Sequence, residues 1–329
     1  MTLNLALSPL LFKEFRTQFR GNRPAILISV SIGLLIIALL LLYRSITERT
    51  NLGAPLVSVQ IGQALFTGLA LATQTLLVFL APATAVNAIS SEHEHHTFDL
   101  LLKTPVSASQ ILLGKLLTSL AFLMLLLLAI FPLFSIIALF GGINFTDFAN
   151  PLITIMLSTL TWCLFGLFCS VITKQTYTGT LLCYAILISV IGGSQFAANL
   201  WSVMHNQTSV PTGYVVINPL SAMASALAST TPPAFVTPNT LSPLAILGLL
   251  TQGTIQWQGG QTIVFPIYRA TWLLYGLLSL ILFWLSIHFV QPKRSLHFSS
   301  ADGILLVSIL SYSAWAWLIR AWWLIGLGK

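Results

Sequence analysis

Residues 88–115 read AISSEHEHHTFDLLLKTPVSASQILLGK, a polar and charged interval between two long apolar runs. Ser91 stands as a helix N-cap with Glu94 three residues on, the spacing of a capping box that satisfies orphan backbone N–H groups, so a short helix is expected to start there. On that helix Glu92, His95 or His96, Asp99 and Lys103 recur on one side, while Phe98, Leu101 and Leu102 gather on another. Asp99 and Lys103 are also an i,i+4 pair in the favourable orientation. Pro105 disfavours helix at Thr104, and Ser107 with Gln110 offers a second capping box. The expected pattern is helix, break, helix.

The composition says what surrounds this interval. Of 329 residues only 6% are charged and 56% are hydrophobic, with a mean hydropathy of +0.91. No single soluble core requires so much apolar sequence, and the reading is an all-α polytopic membrane protein. The net charge of +7 does not imply a nucleic-acid partner, because the basic residues sit in small clusters beside apolar runs, where they set topology. Cys163, Cys169 and Cys183 all fall within apolar segments and are read as packing residues rather than a disulfide framework.

Taken in order, residues 1–23 suit an interfacial amphipathic helix. Phe12, Phe15 and Phe19 share one face, and Lys13, Arg16 and Arg20 share another, where they anchor against lipid phosphate. A transmembrane domain follows at 24–294, with spans expected at about 24–43, 64–86, 116–140, 151–173, 178–198 and 270–290. In the second span Gln63, Thr67 and Gln74 fall near one stripe, either lining a translocation path or forming ordinary interhelical hydrogen bonds. In the fourth, Gly166 and Ser170 form a small-xxx-small pair that permits close helix approach. Asp147 is read as part of the short connection before that span.

The interval 199–268 is broken by Pro, Gly, Thr and Asn and is too irregular to span, yet its lack of charge argues for a packed loop. Its apolar pieces at 215–228 and 241–250 are expected as interfacial or re-entrant helices on the outer surface. Residues 295–329 form an extra hydrophobic segment, and 303–319 is read as a seventh span with Arg320 snorkelling at its end.

With the N-terminus inside, nine basic residues (Lys13, Arg16, Arg20, Arg23, Lys103, Lys115, Lys174, Lys293, Arg294) are cytoplasmic and five (Arg44, Arg49, Arg269, Arg320, Lys329) are outside. That excess sets the orientation. The interval 88–115 is then cytoplasmic and the loop 199–268 extracytoplasmic.

A cytoplasmic amphipathic helix between two spans suits transmission of force from a soluble partner, and the residues carry a resemblance. Ile89, Glu92, Glu94, Thr97, Leu100, Leu101, Leu102, Thr104, Pro105, Gly114 and Lys115 match the stretch between the second and third spans of type-2 ABC exporter permeases, which the chain resembles to about Arg294. His93 stands where that family usually has arginine, and His96 where it has glycine. The resemblance implies six core spans, a cytoplasmic coupling helix, and docking on a separate ABC ATPase subunit. A second permease, as homodimer or heterodimer, completes the unit in a bacterial plasma (inner) membrane. It implies that Glu92, His93, Glu94, His96, Thr97, Asp99, Lys103 and Pro105 make the ATPase contact. No G-x-x-x-x-G-K-[ST] occurs in the chain, so ATP and Mg are expected on the partner and no cofactor on this subunit.

Two alternatives differ in class. A membrane metalloenzyme would use His93, His95 and His96 as ligands, although they share no helical face and lack the H-E-x-x-H spacing. A non-transporting scaffold would leave the coupling interval without a purpose. Export is the implied direction. Spans almost free of ionisable groups favour an amphipathic, lipid-linked, glycan or peptide cargo over a small ion.

Overall fold

A computed structural model describes residues 16, 18–19, 21–47, 56–95, 108–140, 143–173, 175–205, 212–227, 255–258, 261–264, 266–290 and 300–323. In chain order they form α1 (Arg23–Thr47), α2 (Leu56–Glu94), α3 (Ala108–Ala138), α4 (Phe145–Ile172), α5 (Thr176–Ile188), a π turn (Ser189–Gly193) and α6 (Ser194–His205). A 3-10 turn (Thr212–Tyr214), α7 (Pro219–Leu227), strands β1 (Ile255–Gln258) and β2 (Gln261–Val264), α8 (Ile267–Val290), α9 (Ser300–Leu318) and α10 (Arg320–Trp323) follow. Among the described residues, six helical runs are long and apolar enough to cross a membrane: those of α1, α2, α3, α4, α8, and the run from α5 through α6. Helix is what such sequences must form in lipid, where each backbone N–H and C=O needs a partner within its own segment.

The bundle is built around α2, which packs against α1, α3, α4, α5 and α7. Its most apolar stretch is 72% buried, against 6% for α1, so α2 is the axis and α1 stands at the rim. Three contacts along the seam with α4 fix its register. Gln74 Nε2 donates to Ser158 Oγ at 2.7 Å. A Cβ on Gly166 would lie 2.8 Å from Cα and 2.9 Å from O of Pro82, so the two backbones touch there. Ser170 Oγ accepts from the N–H groups of Ile89 at 3.0 Å and Ser90 at 2.9 Å. The residue numbers rise together on both helices, so α2 and α4 run parallel. The expected small pair, Gly166 and Ser170, is thus the contact itself. Pro82 loosens the turn before it, and Tyr184 of α5 donates its hydroxyl to the Phe79 carbonyl at 2.8 Å in that turn.

Several expectations are corrected. No helix starts at Ser91: α2 runs through to Glu94, and the Ser91 hydroxyl donates back to the Asn87 carbonyl at 2.6 Å, a mid-helix bond. Asp147 belongs to the first turn of α4, where its carboxylate accepts from the backbone and side-chain N–H groups of Asn144 at 3.3 and 3.1 Å, so the helix begins before the expected 151. The fifth crossing does not end at 198. It is interrupted by the π turn and continues as α6 to His205.

The loop piece expected on the outer surface lies inside the bundle: every α7 residue but Leu220 is buried, and Met223, Ala224 and Leu227 join the main core. Tyr275 and Thr271 of α8 hold the turn before α7, donating to the carbonyls of Ile217 and Val216 at 2.8 and 2.9 Å. Residues 241–250 lie outside the described set. The antiparallel β1–β2 hairpin went unread, though Gly259-Gly260 between Gln-Trp-Gln and Gln-Thr-Ile-Val is a hairpin signal. The segment read as a seventh span forms α9, whose apolar part, Gly303–Leu318, is shorter than the other six. It rests on α8, with the Tyr312 hydroxyl donating to the Leu273 carbonyl at 3.2 Å.

Gly166→Ala is expected to lower stability by about 1–3 kcal/mol through overpacking against Pro82. Gly33→Ala in α1, with no described atom within 4 Å of the added carbon, leaves stability unchanged or raises it by up to about 1 kcal/mol. Thermal unfolding of both variants in detergent, followed by near-UV circular dichroism, makes the comparison.

Candidate functional site

At 39 residues α2 is about 58 Å long, nearly twice the ~30 Å hydrocarbon core. Its last turns therefore project, and four helix ends meet there. Lys115, in the second turn of α3, is buried, and an ammonium in that setting needs a partner. Its Nζ lies 2.7 Å from Glu92 Oε1 and also donates to the Ala88 carbonyl, so one cation fastens α3 to two turns of α2. Placed against the carbonyl end of α2, it also opposes the helix dipole.

Glu94 reaches in another direction. Its Oε1 accepts from the Thr176 N–H at 2.7 Å, the first residue of α5, and so fills one of the orphan donors at that helix start. Glu94 is exposed, past the span expected at 64–86, and the hydrogen bond from the Thr176 N–H holds its carboxyl below the usual carboxylate range. Ser170, near the end of α4, completes the set through Ile89 and Ser90. Glu94 was read as closing a cap on its own helix. It caps a helix 82 residues further on.

His93 is half-buried and His95 exposed, with the His95 N–H bonded to the Ser91 carbonyl at 3.0 Å in the closing turn. α3 begins at Ala108, directly after the Ser107 signal. His96, Thr97, Asp99, Lys103 and Pro105 lie outside the described residues, as do Lys13 and Arg20. Arg16 is exposed and helical, and Phe19 sets its ring 6.5 Å from Phe122 of α3. Among the described residues no three His, Cys, Asp or Glu side chains are grouped to hold a metal ion.

Gln63 is half-buried, while Thr67 and Gln74 are fully buried, Gln74 in the seam with α4. In this conformation Gln74 makes an interhelical hydrogen bond, and a path along it would require α2 and α4 to part. At the four helix ends, α2 is tied to α3 by Lys115, to α4 by Ser170 and to α5 by Glu94.

A family model described as ABC-2 family transporter protein matches residues 9–289. The chain belongs to the ABC-2 transporter family. It is a membrane-embedded permease component of an ABC transporter, and no curated protein matches it. In this ABC-2 permease α9 and α10 lie beyond the matched residues.

The sequence reading missed the role of Lys115 in the permease. A signal was present: it is the only Lys, Arg, Asp or Glu between Lys103 and Asp147, in a run where a charge must find a partner. The sequence reading gave Asn218 no role either. It is fully buried and joins the loop to the π turn, donating to the Ile191 carbonyl at 3.2 Å and Ser194 Oγ at 3.0 Å.

Lys115→Met leaves the Glu92 carboxylate without its cation and is expected to cost about 1–3 kcal/mol, discounted from a fully buried pair because Glu92 keeps some exposure. Lys115→Met with Glu92→Gln recovers most of that loss. A double-mutant cycle on thermal midpoints measures the coupling.

Proposed function

We propose that this ABC-2 permease is the transmembrane subunit of an ATP-driven exporter, coupled to a separate ATPase that carries ATP and Mg. The observation that carries the reading is the fastening of four helix ends through Lys115–Glu92, Glu94–Thr176 and Ser170. A docking segment transmits force only if its base does not yield, and here the base of the 96–107 connection is tied to four helices. In this reading His93, His96, Thr97, Asp99, Lys103 and Pro105 meet the ATPase, while Glu92 and Glu94 hold the base in register. The match of residues 88–115 to exporter permeases supports docking on this face and outward transport.

The unit contains a second permease. Only 6% of the apolar stretch of α1 and 17% of that from α5 to α6 is buried, which leaves apolar faces for a second subunit as well as for lipid. The N-terminus is cytoplasmic, in a bacterial plasma membrane, on the count of basic residues beside the spans. The cargo is an amphipathic, lipid-linked, glycan or peptide molecule, a reading supported by spans that carry few ionisable groups. It passes Gln63, Thr67 and Gln74 when the α2–α4 seam opens.

Asp99→Ala with Lys103→Ala is expected to abolish copurification of the ATPase while leaving helical content and thermal midpoint unchanged. Repeated purification of the intact protein without any ATPase subunit overturns the reading. Transport into inside-out vesicles holding both subunits reports direction.

A further inference from the structure

The segment beyond the family match creates a feature the core alone lacks. Between α8, α9–α10 and the turn at 212–217 lies a cleft of about 410 Å³, within the ~300–1,000 Å³ of small-molecule sites. Leu273, Leu274 and Leu277 form one wall, and Tyr312, Trp317 and Trp323 form the other. The lining is almost wholly apolar, and from Ala270 to Leu277 it runs about 10 Å along the helix axis. That is a slot for an alkyl chain rather than for a polar solute.

Its rim is cationic. Arg269 stands one turn above Leu273 on the same stripe of α8, at the end of the apolar span where headgroups lie. The guanidinium stacks on Trp322 at 4.9 Å, and Nη1 donates to the Trp322 carbonyl at 3.3 Å. Arg269 Nε is buried with no hydrogen-bond partner among the described residues, and no described carboxylate pairs with this side chain. A buried donor without an acceptor calls for an oxygen beyond the described residues, and a lipid phosphate at this level of the span is a source of one. Arg320 lies over Trp317, itself a wall residue, with Cζ 5.0 Å from the ring, and adds a second positive charge at the cleft. The guanidinium fork is the group best suited to phosphate oxygens.

We propose that this cleft binds one anionic membrane phospholipid, its phosphate on Arg269 and one acyl chain between α8 and α9. The lipid joins the C-terminal helices to the permease core and is independent of how the ATPase docks. Two arginines favour a net anionic headgroup over a zwitterionic one, and the bilayer supplies the occupant at high local concentration.

Trp317 and Trp323 are reporters within the site. Titrating the full-length protein in detergent with phosphatidylglycerol brominated on its acyl chains should give saturable quenching of tryptophan fluorescence at about one lipid per chain. Brominated phosphatidylcholine should bind more weakly. Arg269→Gln, and separately Ser313→Phe, which fills the cleft from an exposed position, should each raise the half-quenching concentration by about tenfold. Glycerol phosphate should not reverse the quenching; if it does, the site takes free phosphate and the proposal fails. Saturable quenching unchanged in both variants, or surviving replacement of Trp317 and Trp323 by Phe, also overturns it.

Discussion

Contact of the α2 and α4 backbones at Pro82 and Gly166 is the constraint on which the bundle rests. Helices in a bilayer gain little from burying apolar surface against one another, because lipid is as apolar as leucine. Association then depends on close packing and on polar groups that find partners across the seam. Gly166 supplies the close packing. The separation it sets lets Gln74 meet Ser158 on one side and Ser170 meet the Ile89 and Ser90 amides on the other. A wider seam would leave those groups apart.

The same register governs the projecting end of α2. With the α2 axis fixed against α4, Lys115 of α3 falls opposite Glu92, and Thr176 of α5 opposite Glu94. Each is a polar contact between different helices, made at the projecting end of α2. The polar end and the apolar middle thus support each other, and the contacts at the polar end join α2 to α3, α4 and α5. By contrast α1 and the run from α5 to α6 expose most of their apolar surface, and the π turn interrupts the latter. The chain is packed at its core and exposes apolar faces at its rim.

Much of this was legible without coordinates, and particular residues show why. Unbroken apolar runs of about twenty residues read as helical spans, since lipid offers the backbone no partner outside its own segment. Gly166 and Ser170, four residues apart in such a run, announced a close contact, and the structure makes it. The polar interval at 88–115 announced a break between two spans. Where the reading failed, local rules had been trusted past their reach. Ser91 and Glu94 have capping-box spacing, yet the preceding helix simply continues through them, because Ile89 and Ser90 are held against Ser170. Residues 219–227 looked like a surface piece because they are too short to span, but all except Leu220 are buried once Tyr275 and Thr271 of α8 hold the turn before them.

The amino-acid sequence by itself determined that this protein spans a membrane with apolar helices, read as six core spans and a seventh, and marked the segment between the second and third as polar. These are properties of single segments, set by length, charge and the backbone's need for partners. Only the tertiary structure decided that Lys115 holds Glu92, that Glu94 caps the start of α5, that α7 is buried, and that α8 and α9 leave a cleft below Arg269. Each depends on which helices touch and in what register, and that follows from side-chain shapes meeting across the bundle. A seam closed by one missing Cβ at Gly166 leaves no periodic trace in the chain that names its partner.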